Sequence, residues 1–70
     1  MNNEAIARTL IKLRGKKSRE EVAKAVGISV SALSMYENGD RVPRDDIKIK
    51  LANYYGRTVN FIFFAHKVHE

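Results

Sequence analysis

Basic side chains are the residues of this 70-residue chain with the clearest chemical potential. It carries 13 lysines and arginines against 8 acidic residues, a formal net charge of +5. Six of the basic residues fall within residues 1–19, where Glu4 is the only acid. Clustered cations attract polyanions, so this charge favours nucleic acid first and an anionic lipid surface second. Taken alone, the cluster is equally consistent with a solvated face.

Catalytic and metal chemistry has little support in the residue types. The sequence has no cysteine, which excludes disulfides and thiolate metal sites. His66 and His69 are three residues apart and Glu70 follows, a spacing that could bind a metal. We expect a solvated polar tail there instead, because no further ligand accompanies them. Without a glycine-rich phosphate loop or a nucleophile–base pair, we expect neither an enzyme nor a cofactor.

The length allows one domain over residues 1–70, with a core of about 3–64 and a short tail, 65–70. The first residues show no secretory signal. The longest apolar run, residues 61–65, is far shorter than the roughly 18 residues that a membrane span requires. We therefore expect a cytoplasmic protein that does not enter the membrane.

The elements that must position the basic side chains are helices. Four glycines divide the chain into five short pieces, and the apolar residues of each piece follow a helical period. In the first, about residues 3–14, Ile6, Leu10 and Leu13 form one apolar stripe. The sequence therefore predicts an all-α fold of five helices. Its predicted boundaries are marked by Ser18, Gly27, Ser29, Gly56 and Thr58.

The second and third helices are separated by a very short turn, which forces them to cross steeply. Ala23 provides the small side chain that close crossing needs, and Gly27, four residues later, provides a backbone that adopts positive φ. Leu33 and Tyr36 follow at ten and thirteen residues past the alanine. This spacing is typical of a helix-turn-helix.

The segment from residue 18 to residue 39, SREEVAKAVGISVSALSMYENG, resembles the Cro/cI-type (XRE) helix-turn-helix family of phage repressors and bacterial regulators. The Glu-Asn-Gly at residues 37–39, followed by Arg41 and Pro43, is especially typical, and the resemblance covers roughly residues 5–64. It implies a compact five-helix, λ-repressor-like DNA-binding domain with the helix-turn-helix at helices 2 and 3. Arg19 stands where the family commonly has glutamine, and Lys48 where it often has leucine.

If the third helix enters a major groove, its outer face supplies the base contacts. No arginine, lysine or glutamine lies on that face, so phosphate contacts must provide much of the affinity. The candidate base contacts are Val30, Ser31, Ser34 and Met35. The candidate phosphate contacts are Lys17, Ser18, Arg19, Arg41 and Arg44, to which the resemblance adds Asn38. The resemblance also implies a structural ion pair between Lys12 and Glu37.

Five of the six aromatic residues fall within residues 54–64, more than one short helix can bury. The predicted inward stripe of the fifth helix is Val59, Ile62 and Phe63. Phe61 and Phe64 lie outside it, so we expect them at a homodimer interface. Partial burial beneath residues 65–70 is the alternative, and the tail could be a strand or a fraying helix.

The sequence thus predicts a sequence-specific double-stranded DNA-binding regulator that acts as a repressor. Its partners would be a second copy of the chain and a pseudo-palindromic operator. The alternative is a helix-turn-helix protein-interaction module, an antitoxin or anti-repressor, that uses the aromatic surface.

Overall fold

The computed structural model of the protein describes residues 3–65, which form five helices and no strand within that range. They are α1 (Asn3–Arg14), α2 (Arg19–Val26), α3 (Val30–Glu37), α4 (Asp45–Tyr55) and a π-helix, Asn60–Phe64. The predicted all-α, five-helix, λ-repressor-like fold is confirmed. Across residues 3–65, every helix is too short or too polar to span a bilayer. The expectations for His66, His69, Glu70 and the tail after residue 65 lie outside the described residues.

Ser18 and Ser29 cap the N-termini of α2 and α3, as predicted. Ser18 Oγ accepts a hydrogen bond of 3.0 Å from the backbone N–H of Glu21, and Ser29 Oγ accepts one of 3.0 Å from Ala32. Both serines have extended backbone angles, so each satisfies a first-turn N–H that the helix itself leaves unpaired. These caps fix where α2 and α3 start.

The turn between α2 and α3 depends on one glycine. Gly27 has φ of +89°, and its N–H donates to the carbonyl of Ala23 over 2.8 Å. A side chain at this φ would be strained, so glycine ends α2 and turns the chain within three residues. Ala23 itself is 1% exposed, as close crossing of the two helices requires.

The hydrophobic core draws on all five helices. The apolar stripe predicted on α1 is buried at Ile6 and Leu10 and partly buried at Leu13, and Tyr55 on α4 is also partly buried. Burying each large aliphatic side chain contributes about 1.5–3 kcal/mol relative to leaving it exposed. The core residues are Ile6, Leu10, Val22, Ala23, Val26, Leu33, Tyr36, Ile47, Leu51, Ala52, Ile62 and Phe63.

The clustered aromatic residues of the π-helix differ in how deeply they are buried. Thr58 Oγ1 accepts from the backbone N–H of Phe61 over 3.0 Å, which caps the segment as predicted. Two consecutive side chains, Ile62 and Phe63, are fully buried, while Phe61 is 45% exposed. Phe64 is partly buried and packs against the core.

A lysine on α4 covers Phe64. Lys48 is only 8% exposed, and its Nζ lies 4.9 Å from the ring centroid of Phe64 and 5.8 Å from that of Phe63. Among residues 3–65 its one acidic partner is Asp45, whose Oδ1 is 3.5 Å away and whose side chain is largely in solvent. The aliphatic stem of Lys48 thus occupies a core position, with the ammonium held on aromatic faces.

Candidate nucleic-acid interface

A buried carboxylate anchors the inner side of α3. Glu37 continues the inward stripe of Leu33 and Tyr36 and is 2% exposed. Arg14 Nε donates to its Oε2 at 2.9 Å and to its Oε1 at 3.2 Å, and Arg19 Nε donates to Oε1 at 2.9 Å. Charge-assisted bonds of this kind offset the cost of burying a carboxylate. Glu37 therefore joins α3 to the end of α1 and the start of α2.

The predicted ion pair between Lys12 and Glu37 is wrong. Lys12 is exposed, and Glu37 pairs with Arg14 and Arg19 instead. Sequence reasoning missed Arg14. The signal was present in Glu37 itself, because an acid four residues after the buried Leu33 lies on the core side of α3 and requires cations from neighbouring helices.

Arg14 also fixes the loop that leads into α2. Its Nη1 donates to the backbone carbonyl of Lys17 over 2.8 Å. The hydrogen bonds to Glu37 raise the pKa of the Arg14 guanidinium. Arg14 thus bonds both the loop and α3 and holds them at a fixed position relative to each other.

All four predicted base-contact residues lie on α3. Val30 and Ser31 are exposed in its first turn, and Ser34 and Met35 are partly exposed one turn later. Residues four apart share a helix face, so these four form one continuous surface, called the reading face below. It carries two hydroxyl groups, two apolar side chains and no charge.

Two predicted phosphate contacts lie beside the start of α3. Arg41 and Arg44 line a shallow depression together with Ser29, the N-cap of that helix, and Ile28. Arg44 Nε is 3.6 Å from Asp46, but both side chains are mostly in solvent, where such a pair contributes little. Two arginines therefore stand next to a helix N-terminus, where unpaired N–H groups also favour anions.

The other predicted phosphate contacts have different surroundings. Lys17 Nζ donates to the hydroxyl of Tyr54 over 3.2 Å, a bond that raises the pKa of Lys17. A phosphate would have to share or replace that bond. Ser18 is occupied as an N-cap acceptor, which leaves its hydroxyl proton to donate. Asn38 is exposed at the C-cap of α3.

Arg19, also predicted to contact phosphate, reaches the reading face. Besides its bond to Glu37, its Nη1 donates to Ser34 Oγ over 3.3 Å. The side chain stays 35% exposed. Arg19 thus connects the buried carboxylate with a candidate base-contact residue.

The two predicted interface residues are placed differently. Phe61 is exposed, with the Arg57 guanidinium carbon 4.9 Å from its ring centroid, and it lines a depression with Lys12 and Leu13. Phe64 is partly buried beneath Lys48. Of these two residues, only Phe61 is exposed.

The hydroxyl of Tyr55 is buried and has no hydrogen-bond partner among the described residues. Burial, together with the negative charge of Glu37, raises the pKa of Tyr55 to about 12. In residues 3–65 no group of three or more acidic, histidine or cysteine side chains is placed to hold a metal.

A family model described as "Helix-turn-helix" matches residues 8–62, which include α2, α3 and α4 entirely. No curated protein and no solved structure matches the chain.

Proposed function

The chain belongs to the Cro/cI-type (XRE) helix-turn-helix family of DNA-binding regulators, and on that premise we propose that it binds double-stranded DNA sequence-specifically with α3 in the major groove. The observation that carries this proposal is that α3, which bears the reading face, is hydrogen-bonded to both neighbouring helices. Glu37, on the opposite side of α3, is bonded to both α1 and α2. A reading face fixed before binding loses little conformational freedom on contact with a base edge.

The chemistry of the reading face suits a modest number of base contacts. Serine hydroxyls pair with several base edges, and Val30 and Met35 can contact a thymine methyl. None of the four side chains can form the bidentate bonds that arginine, asparagine or glutamine make. Phosphate contacts must therefore supply a large part of the affinity.

We place these phosphate contacts on both sides of the reading face. Arg41 and Arg44 lie beside the N-terminus of α3. Lys17, Ser18 and Arg19 lie at the N-terminus of α2, and Asn38 follows α3. Charged and polar donors around one helix would set its position on the duplex without adding sequence information.

The regulatory role we propose is repression by a homodimer. One reading face with four short side chains selects too few base pairs for a unique site. Two copies related by a two-fold axis would double both sets of contacts, with the α3 helices about 34 Å apart on a pseudo-palindromic operator. Phe61 supports this assembly, because it is 45% exposed next to the cation of Arg57. A pair bound across a promoter would block polymerase by occupying the DNA.

The same exposed Phe61 favours a second candidate, a protein-interaction module that acts as an antitoxin or anti-repressor. Apolar surface of this kind binds a protein partner as readily as a second copy. Salt dependence separates the two candidates, since contacts to several phosphates weaken steeply with salt and an aromatic interface does not.

Selection of bound duplexes from random DNA tests the proposal. We expect the wild type to enrich a two-fold symmetric sequence, and Ser31→Ala or Met35→Ala to alter the preference at particular base pairs by up to about 1–3 kcal/mol. The nonspecific affinity of both variants should match the wild type. Enrichment of one identical site by all three proteins would reject α3 as the reading helix, and no enrichment by the wild type would reject specific DNA binding.

A further inference from the structure

The guanidinium of Arg19 joins the buried side of α3 to its reading face. Its Nε bonds Glu37 at 2.9 Å and its Nη1 bonds Ser34 Oγ at 3.3 Å. The bond to Glu37 fixes the direction of the planar group, because the carboxylate is itself held by Arg14. Arg19 therefore approaches Ser34 along one defined line, whereas a mobile surface side chain would not.

This bond restricts what the Ser34 hydroxyl can do. A serine hydroxyl donates one hydrogen bond and accepts up to two. Among the described residues, Ser34 Oγ accepts from Arg19 and donates to none. The adjacent positive charge repels a second donor, while it strengthens any bond that the hydroxyl itself donates. Ser34 is thus left as a donor toward the groove.

We propose that Arg19 is a positioning residue for sequence recognition, which makes Ser34 read a hydrogen-bond acceptor on the base edge. The inference rests on the proposed function, with α3 in the major groove. There guanine presents N7 and O6, adenine presents N7 and thymine presents O4 as acceptors, whereas cytosine presents the donor N4 amino group. Ser34 therefore rejects cytosine at the position it contacts. Serine without such a neighbour accepts either kind of edge.

This role is compatible with a phosphate contact by the same side chain. Arg19 has five N–H groups, of which two are used by Glu37 and Ser34. The remaining donors stay available because the side chain is 35% exposed. A phosphate contact alone would leave the base preference at every position unchanged, which makes the two roles separable.

Selection from random duplexes with five proteins tests the inference. They are the wild type, Ser34→Ala, Arg19→Lys, Ser34→Thr and Ser31→Ala. Ser34→Ala and Arg19→Lys should both relax the preference at the same base pair, by about five- to tenfold, which corresponds to the loss of one hydrogen bond. Ser34→Thr keeps the hydroxyl and should keep the preference. Ser31→Ala is the matched control, a serine of the same face with no bond to Arg19, and should act at a different base pair.

Circular dichroism establishes whether Arg19→Lys keeps the fold. If it does, two results overturn the inference. One is that Arg19→Lys and Ser34→Ala relax the base preference at different base pairs, and the other is that Arg19→Lys loses affinity uniformly for all sequences. If Arg19→Lys does not keep the fold, the inference is tested with the wild type and Ser34→Ala alone. Cytosine must be excluded by the wild type at the Ser34 position, and its enrichment there overturns the inference. Absence of any enriched sequence for the wild type would instead reject the proposed function itself.

Discussion

Arg14, in the last turn of α1, donates through a single nitrogen to both carboxylate oxygens of Glu37, at 2.9 and 3.2 Å. The two residues are 23 positions apart in sequence, and the Glu37 side chain is fully buried. Removing one partner of a buried ion pair is far more costly than its net contribution suggests, because the other charge is left without compensation.

Glu37→Gln should therefore destabilise the fold strongly. The substitution keeps the shape but removes the negative charge that faces two guanidinium groups. We expect a loss of about 3 kcal/mol in the free energy of unfolding, the low end for a buried pair because Arg14 and Arg19 keep some exposure. Urea denaturation measures it. Asp46→Asn is the control, since its pair with Arg44 is exposed and should change stability by less than about 0.5 kcal/mol. Equal effects of the two variants would contradict the role given to Glu37.

Arg41→Ala and Arg44→Ala should weaken binding to all DNA sequences alike. If each side chain neutralises one phosphate, each variant lowers the slope of log affinity against log salt by about one. Fluorescence anisotropy at several salt concentrations gives that slope. Arg8→Ala removes the same charge from the exposed side of α1 and should leave the slope unchanged. A loss confined to one DNA sequence would mean base contact instead.

Phe61→Asp should lower the dimer fraction while the helical content stays near that of the wild type. Specific DNA binding should then fall much more than nonspecific binding, because only the two-fold site needs both copies. Sedimentation and circular dichroism can be run on the same samples. Asn60→Asp introduces the same charge at the exposed neighbouring position and should remain dimeric. A dimeric Phe61→Asp would place the interface elsewhere. Phe64→Asp, beneath Lys48, should lose helical content.

Tyr55→Phe should change the alkaline part of the stability profile. The pKa of Tyr55 is raised to about 12, above the ordinary value of 10.0. Between these values the unfolded chain loses its phenolic proton and the folded protein keeps it, so the wild type becomes less stable as pH rises from about 10 to 12. The variant lacks this part of the decline. Below pH 9 it should be at least as stable as the wild type, because the hydroxyl has no partner among the described residues. Parallel urea midpoints of both proteins through pH 12 would disprove this.

Lys48→Met should raise the free energy of unfolding, by up to about 1 kcal/mol. Methionine keeps the volume of the aliphatic stem and removes an ammonium group that pairs with Asp45, a side chain largely in solvent. Thermal melts compare it with Lys50→Met, an exposed change on the same helix that should be neutral. A lower stability would show that the contacts with Phe63 and Phe64 outweigh the desolvation of the charge.

The helix boundaries and the core could be predicted from the sequence because they follow from local rules. Ser18 and Ser29 mark helix starts because their side chains cap the first turn, and Gly27 and Gly56 mark helix ends because they adopt positive φ. The placement of the reading face on α3 followed from the same periodicity. Such features need no knowledge of how distant elements meet.

The partners of Glu37 could not be predicted in this way. Lys12 and Arg14 both lie near the end of α1, and the choice between them depends on the path of the loop at residues 15–18. Arg14 holds that path through a local bond to the Lys17 carbonyl, and its own position depends on the long-range bonds to Glu37. The burial of Lys48 could not be predicted either, because a lysine is expected in solvent and only its aliphatic stem suits a core position.

The bonds of Arg14 have a consequence for the modularity of the fold. The segment of residues 18–39 contains the whole helix-turn-helix, yet the cation that fully engages its buried acid lies outside it. A chimera that transplants this segment into another scaffold would introduce Glu37 with Arg19 but without Arg14, the arginine that contacts both carboxylate oxygens. Exchange of recognition helices between proteins of this kind therefore requires either the joint inheritance of an α1 arginine or the loss of the acid. The side chains of Val30, Ser31 and Met35 carry no such linkage, and operator preference can diverge there while the scaffold stays intact.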